Sequence, residues 1–144
     1  MPKRITFLSH FVLCLAVAAG AWFAHVNGVF TTVWANDKSM MTSVIGALFI
    51  GSATWLGRLT WQVGDSKRLP DASFGHLAER LLPMLGLFGT AFGLSLQANA
   101  LAGGATSFAA LATSLYCTAC GVLAALIVAV MTFNLERGVQ RARE

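Results

Sequence analysis

This sequence is short of charge. Only 11% of its 144 residues are Asp, Glu, Lys or Arg, against 56% hydrophobic ones, whereas a soluble domain carries about a quarter charged residues. No charged residue lies between Arg80 and Glu136, which points to a lipid rather than an aqueous surrounding. Acids are scarcer still. All six (Asp37, Asp65, Asp71, Glu79, Glu136 and Glu144) lie in polar connections, at the ends of apolar runs or in the tail. A carrier that moves cations across a membrane unaided usually needs a carboxylate within it, and no apolar run has one mid-way. That argues against a self-contained transporter. A four-span small multidrug exporter depends on a glutamate in its first span, and here that run offers only Ser9, His10, Cys14, His25 and Asn27.

Cysteine is sparse too. Cys14, Cys117 and Cys120 show no disulfide framework. The C-x-x-C at Cys117 and Cys120 lies in an apolar run without a second ligand pair, so zinc or thioredoxin-like chemistry lacks its context; these read as small, reduced, apolar residues. His10 and His25 bracket the first run without sharing a helical turn, and His76 has no sequence partner, so no metal is expected. No cofactor is expected either. Nucleophile triads, phosphate loops and glycine-rich dinucleotide motifs are all missing, so the chain is not read as an enzyme. The net charge is +4, but no basic face with interleaved aromatics lies outside the apolar runs, so nucleic acid is not an expected partner.

What the sequence has instead is apolar runs at membrane-spanning length. Residues 1–4 are a short basic tail and 5–30 the first run. A secretory signal can begin this way, with Ala19-Gly20-Ala21 as a cleavage site. The run exceeds a usual signal core and three more follow, so it is read as a retained span. Residues 31–40 form a polar connection beside Trp34, an interfacial aromatic. Residues 41–63 are the second span, with Arg58 near its end reaching back to the headgroups beside Trp55 and Trp61. Residues 64–80 are a short polar loop whose latter part suits an amphipathic helix capped by Ser73. Residues 81–134 are a transmembrane hairpin turned by Ala98 to Ser107, and 135–144 a charged tail read as a frayed helical extension. Nine of the ten Lys and Arg residues fall in the tails, at Arg58 or in the 64–80 loop, and only Lys38 lies elsewhere. With four spans the positive-inside rule then puts both termini in the cytoplasm. The fold class expected is an all-α integral membrane protein of four transmembrane helices.

The hairpin carries the chemistry. On its first helix Gly86, Thr90, Gly93 and Gln97 follow in steps of four, three and four, so they share a face. On its second, Ser107, Leu111, Ser114, Thr118, Gly121 and Ala125 do the same. Small residues on one stripe let backbones approach in lipid. The stripes serve either as packing alone or as the wall of a narrow polar path, and the two threonines suit the second use. A threonine hydroxyl can also simply bond back to its own helix.

At this point the chain resembles the MotA/TolQ/ExbB proton-channel family. In its TolQ/ExbB branch a proline opens the pore helix, followed by G-L-F-G-T-x-x-G. Here stand Pro83, then Gly86-Leu87-Phe88-Gly89-Thr90, then Gly93. The family's last helix reads A-L-x-x-T-A-x-G-L-x-A-A-I-P and ends near Y-N. Here it is Ser114-Leu115-Tyr116-Cys117-Thr118-Ala119-Cys120-Gly121-Val122-Leu123-Ala124-Ala125-Leu126, with Phe133-Asn134 at the end. Ile127 stands at the usual second proline, and Asn134 comes one residue late.

The resemblance implies that Thr90 and Thr118 line the pore, and that Pro83, Gly86, Gly89, Gly93, Ser114 and Gly121 pack or kink its helices. It implies a homo-pentameric ring in a bacterial inner membrane around two copies of a single-span ExbD/TolR/MotB-like partner. That partner supplies the aspartate this chain lacks, and proton flow drives rotation of one subunit set against the other. The family's usual large cytoplasmic domain is reduced here to 64–80 and a short tail, so the expected output lies on the periplasmic side. The alternative from another class is a structural or assembly membrane protein whose small-residue stripes only pack helices.

Overall fold

The computed structural model describes residues 2–37, 39–63, 71–104 and 108–143. Expectations placed on Lys38, on 64–70 and on Ser107 fall outside these segments. The described residues form five helices and no strand: α1 (Pro2–Val26), α2 (Val29–Asn36), α3 (Met41–Gln62), α4 (Ser73–Ala102) and α5 (Phe108–Arg143). Helices satisfy their own backbone groups, which is what an apolar surrounding demands.

The first apolar run does not continue to residue 30 as one helix. At Asn27-Gly28 the chain turns: the Asn27 side-chain amide donates to Phe23 O at 2.8 Å, and Gly28 adopts φ 74, a left-handed conformation that favours glycine. The hydroxyls of Thr31 and Thr32 donate back to Gly28 O at 2.7 and 2.9 Å. Much of the expected 31–40 connection is therefore the helix α2. Helix also extends into both expected tails, from Pro2 and through to Arg143.

Asp37 starts α3. One carboxylate oxygen accepts from the Ser39 N–H at 3.0 Å and the Ser39 hydroxyl at 2.6 Å. The other accepts from the Thr42 N–H at 2.9 Å and from the Thr42 hydroxyl. Partial burial pushes this carboxyl up, but the bonds from Ser39 and Thr42 outweigh it and hold it below its ordinary value. Replacing Asp37 by Ala is expected to cost about 1 kcal/mol, as for other lost caps, read as a lower melting temperature in detergent at pH 7. The folded carboxyl titrates below the unfolded one, so its contribution is complete above the unfolded value of about 3.9 and is lost as pH falls through the folded value. Wild type and variant should therefore converge in acid, and equal melting at pH 7 would refute the cap.

At the start of α4 the capping group is Asp71 rather than the expected Ser73. Asp71 accepts from the Ser73 N–H at 3.0 Å and its hydroxyl at 2.9 Å, and Ser73 is already the first helical residue. Helix α4 then runs unbroken through Pro83. Pro83 removes one intrahelical donor, yet packing against α5 carries the helix across it, as neighbouring helices do in membranes.

Small polar residues share the interior with the apolar core, and large apolar side chains face outward, unlike a water-soluble fold. Thr6, His10, Ser52, Thr60, Thr113, Ser114 and Thr132 are buried, while Trp22, Phe23, Leu87, Phe88, Leu123 and Leu126 are exposed. The buried hydroxyls of Ser52, Thr60 and Thr132 donate to carbonyls of their own helices at 2.7, 2.8 and 2.9 Å, which removes the cost of hiding them. Among the described residues three segments are long and apolar enough to cross a membrane: Thr6–Val26, Ser73–Ala102 and Ala110–Arg143. The expected second span is not among them. Helix α3 has 22 residues, but Arg58 and its serines and threonines dilute its apolar character.

The helices meet in a consistent register. Asn134 donates to Thr6 O at 3.0 Å, and Thr6 fills the space beside Gly138. His10 lies against Gly57, and Leu56 and Thr132 against Gly75. His76 Nε2 and Glu136 Oε1 pair at 2.8 Å. One end of the bundle thus gathers the start of α1, the end of α3, the start of α4 and the end of α5. The core of the bundle is Ile45, Leu56, Val63, Ala78, Leu82, Ala124, Val128, Met131 and Leu135.

Candidate functional site

The most extensive helix contact joins α4 to α5, and at three of its glycines backbone approaches backbone. A methyl added to Gly121 would stand 2.7 Å from Leu82 O and 3.0 Å from the Gly86 Cα. One on Gly86 would stand 3.0 Å from Cys117 O, and one on Gly93 2.8 Å from Ala110 O and 2.9 Å from Ser114 N. Gly89 faces a side chain instead, with Cys117 Sγ at 2.7 Å from the position of its missing Cβ. Gly86 and Gly93 of the expected α4 stripe therefore face Ser114 and Gly121 of the α5 stripe, and Gly89, a packing residue by the resemblance, faces Cys117 beside them. Ser114 is buried, and Pro83 lies part-buried at the edge.

Close approach brings the two threonines together. The Thr90 hydroxyl is placed to donate to Gly86 O at 2.9 Å and to Ser114 O at 3.2 Å. Thr118 donates to the same Ser114 carbonyl at 3.1 Å, and the two hydroxyls also contact each other. Two hydroxyl protons are thus offered more acceptors than they can occupy at once. Each can rotate from one acceptor to another without leaving a bare donor. Both side chains are only half-buried, so the pair keeps an open side.

Against this pair packs the corner between α2 and α3, which no local pattern assigns to it. The hydroxyls of Ser39 and Thr42 lie 3.7 and 3.9 Å from Cys117 Sγ, and Met41 Cβ lies 3.2 Å from the missing Cβ of Gly89. Cys117 and Gly89 immediately precede Thr118 and Thr90 in sequence, so the corner docks beside the threonines. The signal available in sequence is Asp37 followed by Ser39 and Thr42, a capping pattern, but nothing local tells where a cap will dock. Gln97 shares the α4 stripe, and its side-chain oxygen is buried with no hydrogen-bond partner among the described residues.

No group of three His, Cys, Asp or Glu side chains that could hold a metal occurs among the described residues. A cleft of about 610 Å³ lined by Asp71, Ser73, His76, Glu136 and Arg143 lies between the start of α4 and the end of α5, away from the threonines. The threonine pair itself offers only hydroxyls and carbonyls, while the Asp37 carboxylate stands behind Ser39 and Thr42 in the corner beside it.

A family model described as the MotA/TolQ/ExbB proton channel family matches residues 71–143, half of the chain and all of α4 and α5. No curated protein and no solved structure matches the chain.

Proposed function

The chain belongs to the MotA/TolQ/ExbB proton channel family, and from that premise we propose that it is the ring-forming subunit of a proton-driven membrane motor. In this reading it sits in a bacterial inner membrane as four spans, with both termini in the cytoplasm. Helix α3 is the fourth span. Its 22 residues rise about 33 Å, enough for the hydrocarbon core. It also alternates in direction with its neighbours, so that both chain ends lie together. Five copies surround two helices of an ExbD/TolR/MotB-like single-span partner, whose aspartate takes up and releases the proton.

The observation that carries the reading is the threonine pair. A partner carboxyl alternates between a form that accepts hydrogen bonds and a form that donates one. Thr90 and Thr118 can answer both, because their protons have alternative acceptors in Gly86 O, Ser114 O and each other. Asp37 is held by Ser39 and Thr42 in the corner beside the pair, so in this reading the carboxyl that works between the threonines comes from the second chain.

The packing-only reading has its own observation: each hydroxyl also donates to the carbonyl four residues back in its own helix. Native mass spectrometry of the purified protein, with and without an aspartate-bearing single-span protein encoded beside it, separates the two. The motor reading expects five copies retaining two of the partner. A monomer or dimer that ignores every such partner would leave only packing.

A further inference from the structure

Gln97 follows Thr90 by two helical turns on the same face of α4, with Gly93 between them. Gly93 fixes what that face meets: its missing Cβ would stand within 3 Å of Ala110 O and Ser114 N. One turn further on, the same register brings Gln97 level with the start of α5, where Ala110 is buried. Its Oε1 is sealed from the surface and accepts no hydrogen bond among the described residues. A buried oxygen left bare carries its full desolvation cost, and a leucine would fill the same place without that cost. Helix α3 does not cover this part of the seam, because its first residue, Met41, packs back at Gly89.

We propose that Gln97 Oε1 binds a water molecule or hydronium ion in the α4–α5 seam and forms a third polar station beside Thr90 and Thr118, on the side of the Gly103-Gly104 turn. The proposal rests on the reading of this hairpin as the proton path. A neutral amide oxygen selects a small hydrogen-bond donor and repels an anion. It holds a passing proton weakly because it has no charge of its own, as conduction requires. Seven residues of helix separate Gln97 from Thr90 by about 10 Å, the length of a short file of waters. A proton arriving from the turn side would meet Gln97 first, then the hydroxyl pair. Each step balances: one O–H bond forms as the next one breaks along the file, and the amide only accepts.

Two readouts test this separately from the channel reading. The first needs no partner: the full chain in lipid nanodiscs, with glutamine side-chain carbonyls labelled with ¹³C. The wild-type minus Gln97→Leu infrared difference isolates Gln97 from Gln62 and Gln140. The expected band is that of a hydrogen-bonded carbonyl, moving to the free position when the film is dried. A free band from the outset, or a bonded band that drying leaves in place, overturns the water site. The second is proton flux into vesicles carrying the chain with its single-span partner. Gln97→Leu should lower flux about tenfold, the weight of one hydrogen bond, with the assembly unchanged by native mass spectrometry. Gln97→Glu keeps an acceptor and should retain flux while making it depend on pH. If Gln97→Leu conducts as wild type does while the threonine variants are blocked, the third station falls and the channel stands. If wild type itself conducts nothing, the channel reading falls and the infrared result still decides the water site.

Discussion

Replacing Thr90 and Thr118 together by valine is expected to lower proton flux by about a hundredfold, one factor of ten for each lost hydroxyl contact. Valine keeps the branched shape and removes only the O–H, so the α4–α5 crossing should persist. Melting temperature and copy number should stay near wild type, because each hydroxyl is bonded within the hairpin and leaves behind only carbonyls that already accept from backbone N–H groups. Serine at both positions should restore much of the flux, since it returns the hydroxyl with its alternative acceptors. The measurement is dye-reported acidification of vesicles containing the chain and its single-span partner. Undiminished flux in the valine pair would remove the threonines from the pathway and return them to helix packing.

Gly121→Val is expected to break the hairpin rather than tune it. Its Cβ would fall 2.7 Å from Leu82 O and 3.0 Å from the Gly86 Cα, and both neighbours are backbone. A side chain in the way can change rotamer, but a helix must move as a whole. Overpacking of this kind costs about 1–3 kcal/mol even where side chains can yield, and here the value should lie at or above the upper end. Melting in detergent should fall well below wild type, with loss of any assembled ring. Gly46→Ala provides the control, since nothing lies within 4 Å of its missing Cβ. Equal stability of Gly121→Val and Gly46→Ala would mean that α4 and α5 do not cross at this point.

The crossing was legible in sequence because lipid leaves small and hydroxyl-bearing residues few roles. In an apolar run, glycine, serine and threonine at steps of three and four have little to do except face another helix. Gly86, Gly93, Ser114 and Gly121 do so, and the Thr90–Thr118 meeting follows from them. The break in the first run was less legible. Hydrophobicity continues past Val26, and the Asn27-Gly28 dipeptide, a turn signal in any polar sequence, was hidden by its apolar flanks. Ser73 reads as a cap because serine at a helix start is the common case, but Asp71 two residues earlier accepts from it. The docking of the Asp37 corner on Cys117 was beyond local reading altogether. It joins residues about eighty positions apart, and neither stretch announces the other.

The backbone-to-backbone crossing at Gly86 and Gly121 has a mechanical consequence. Glycine and alanine lose no side-chain entropy when a joint forms, so the crossing is ordered at little side-chain cost. For the same reason it has no rotamers with which to absorb a displacement. Around this point α4 and α5 move as one body or separate altogether. A force applied where α5 carries Glu136, Arg137 and Arg141 is therefore delivered to Thr118 as movement of the helix, with little of it dissipated in side-chain rearrangement along the way.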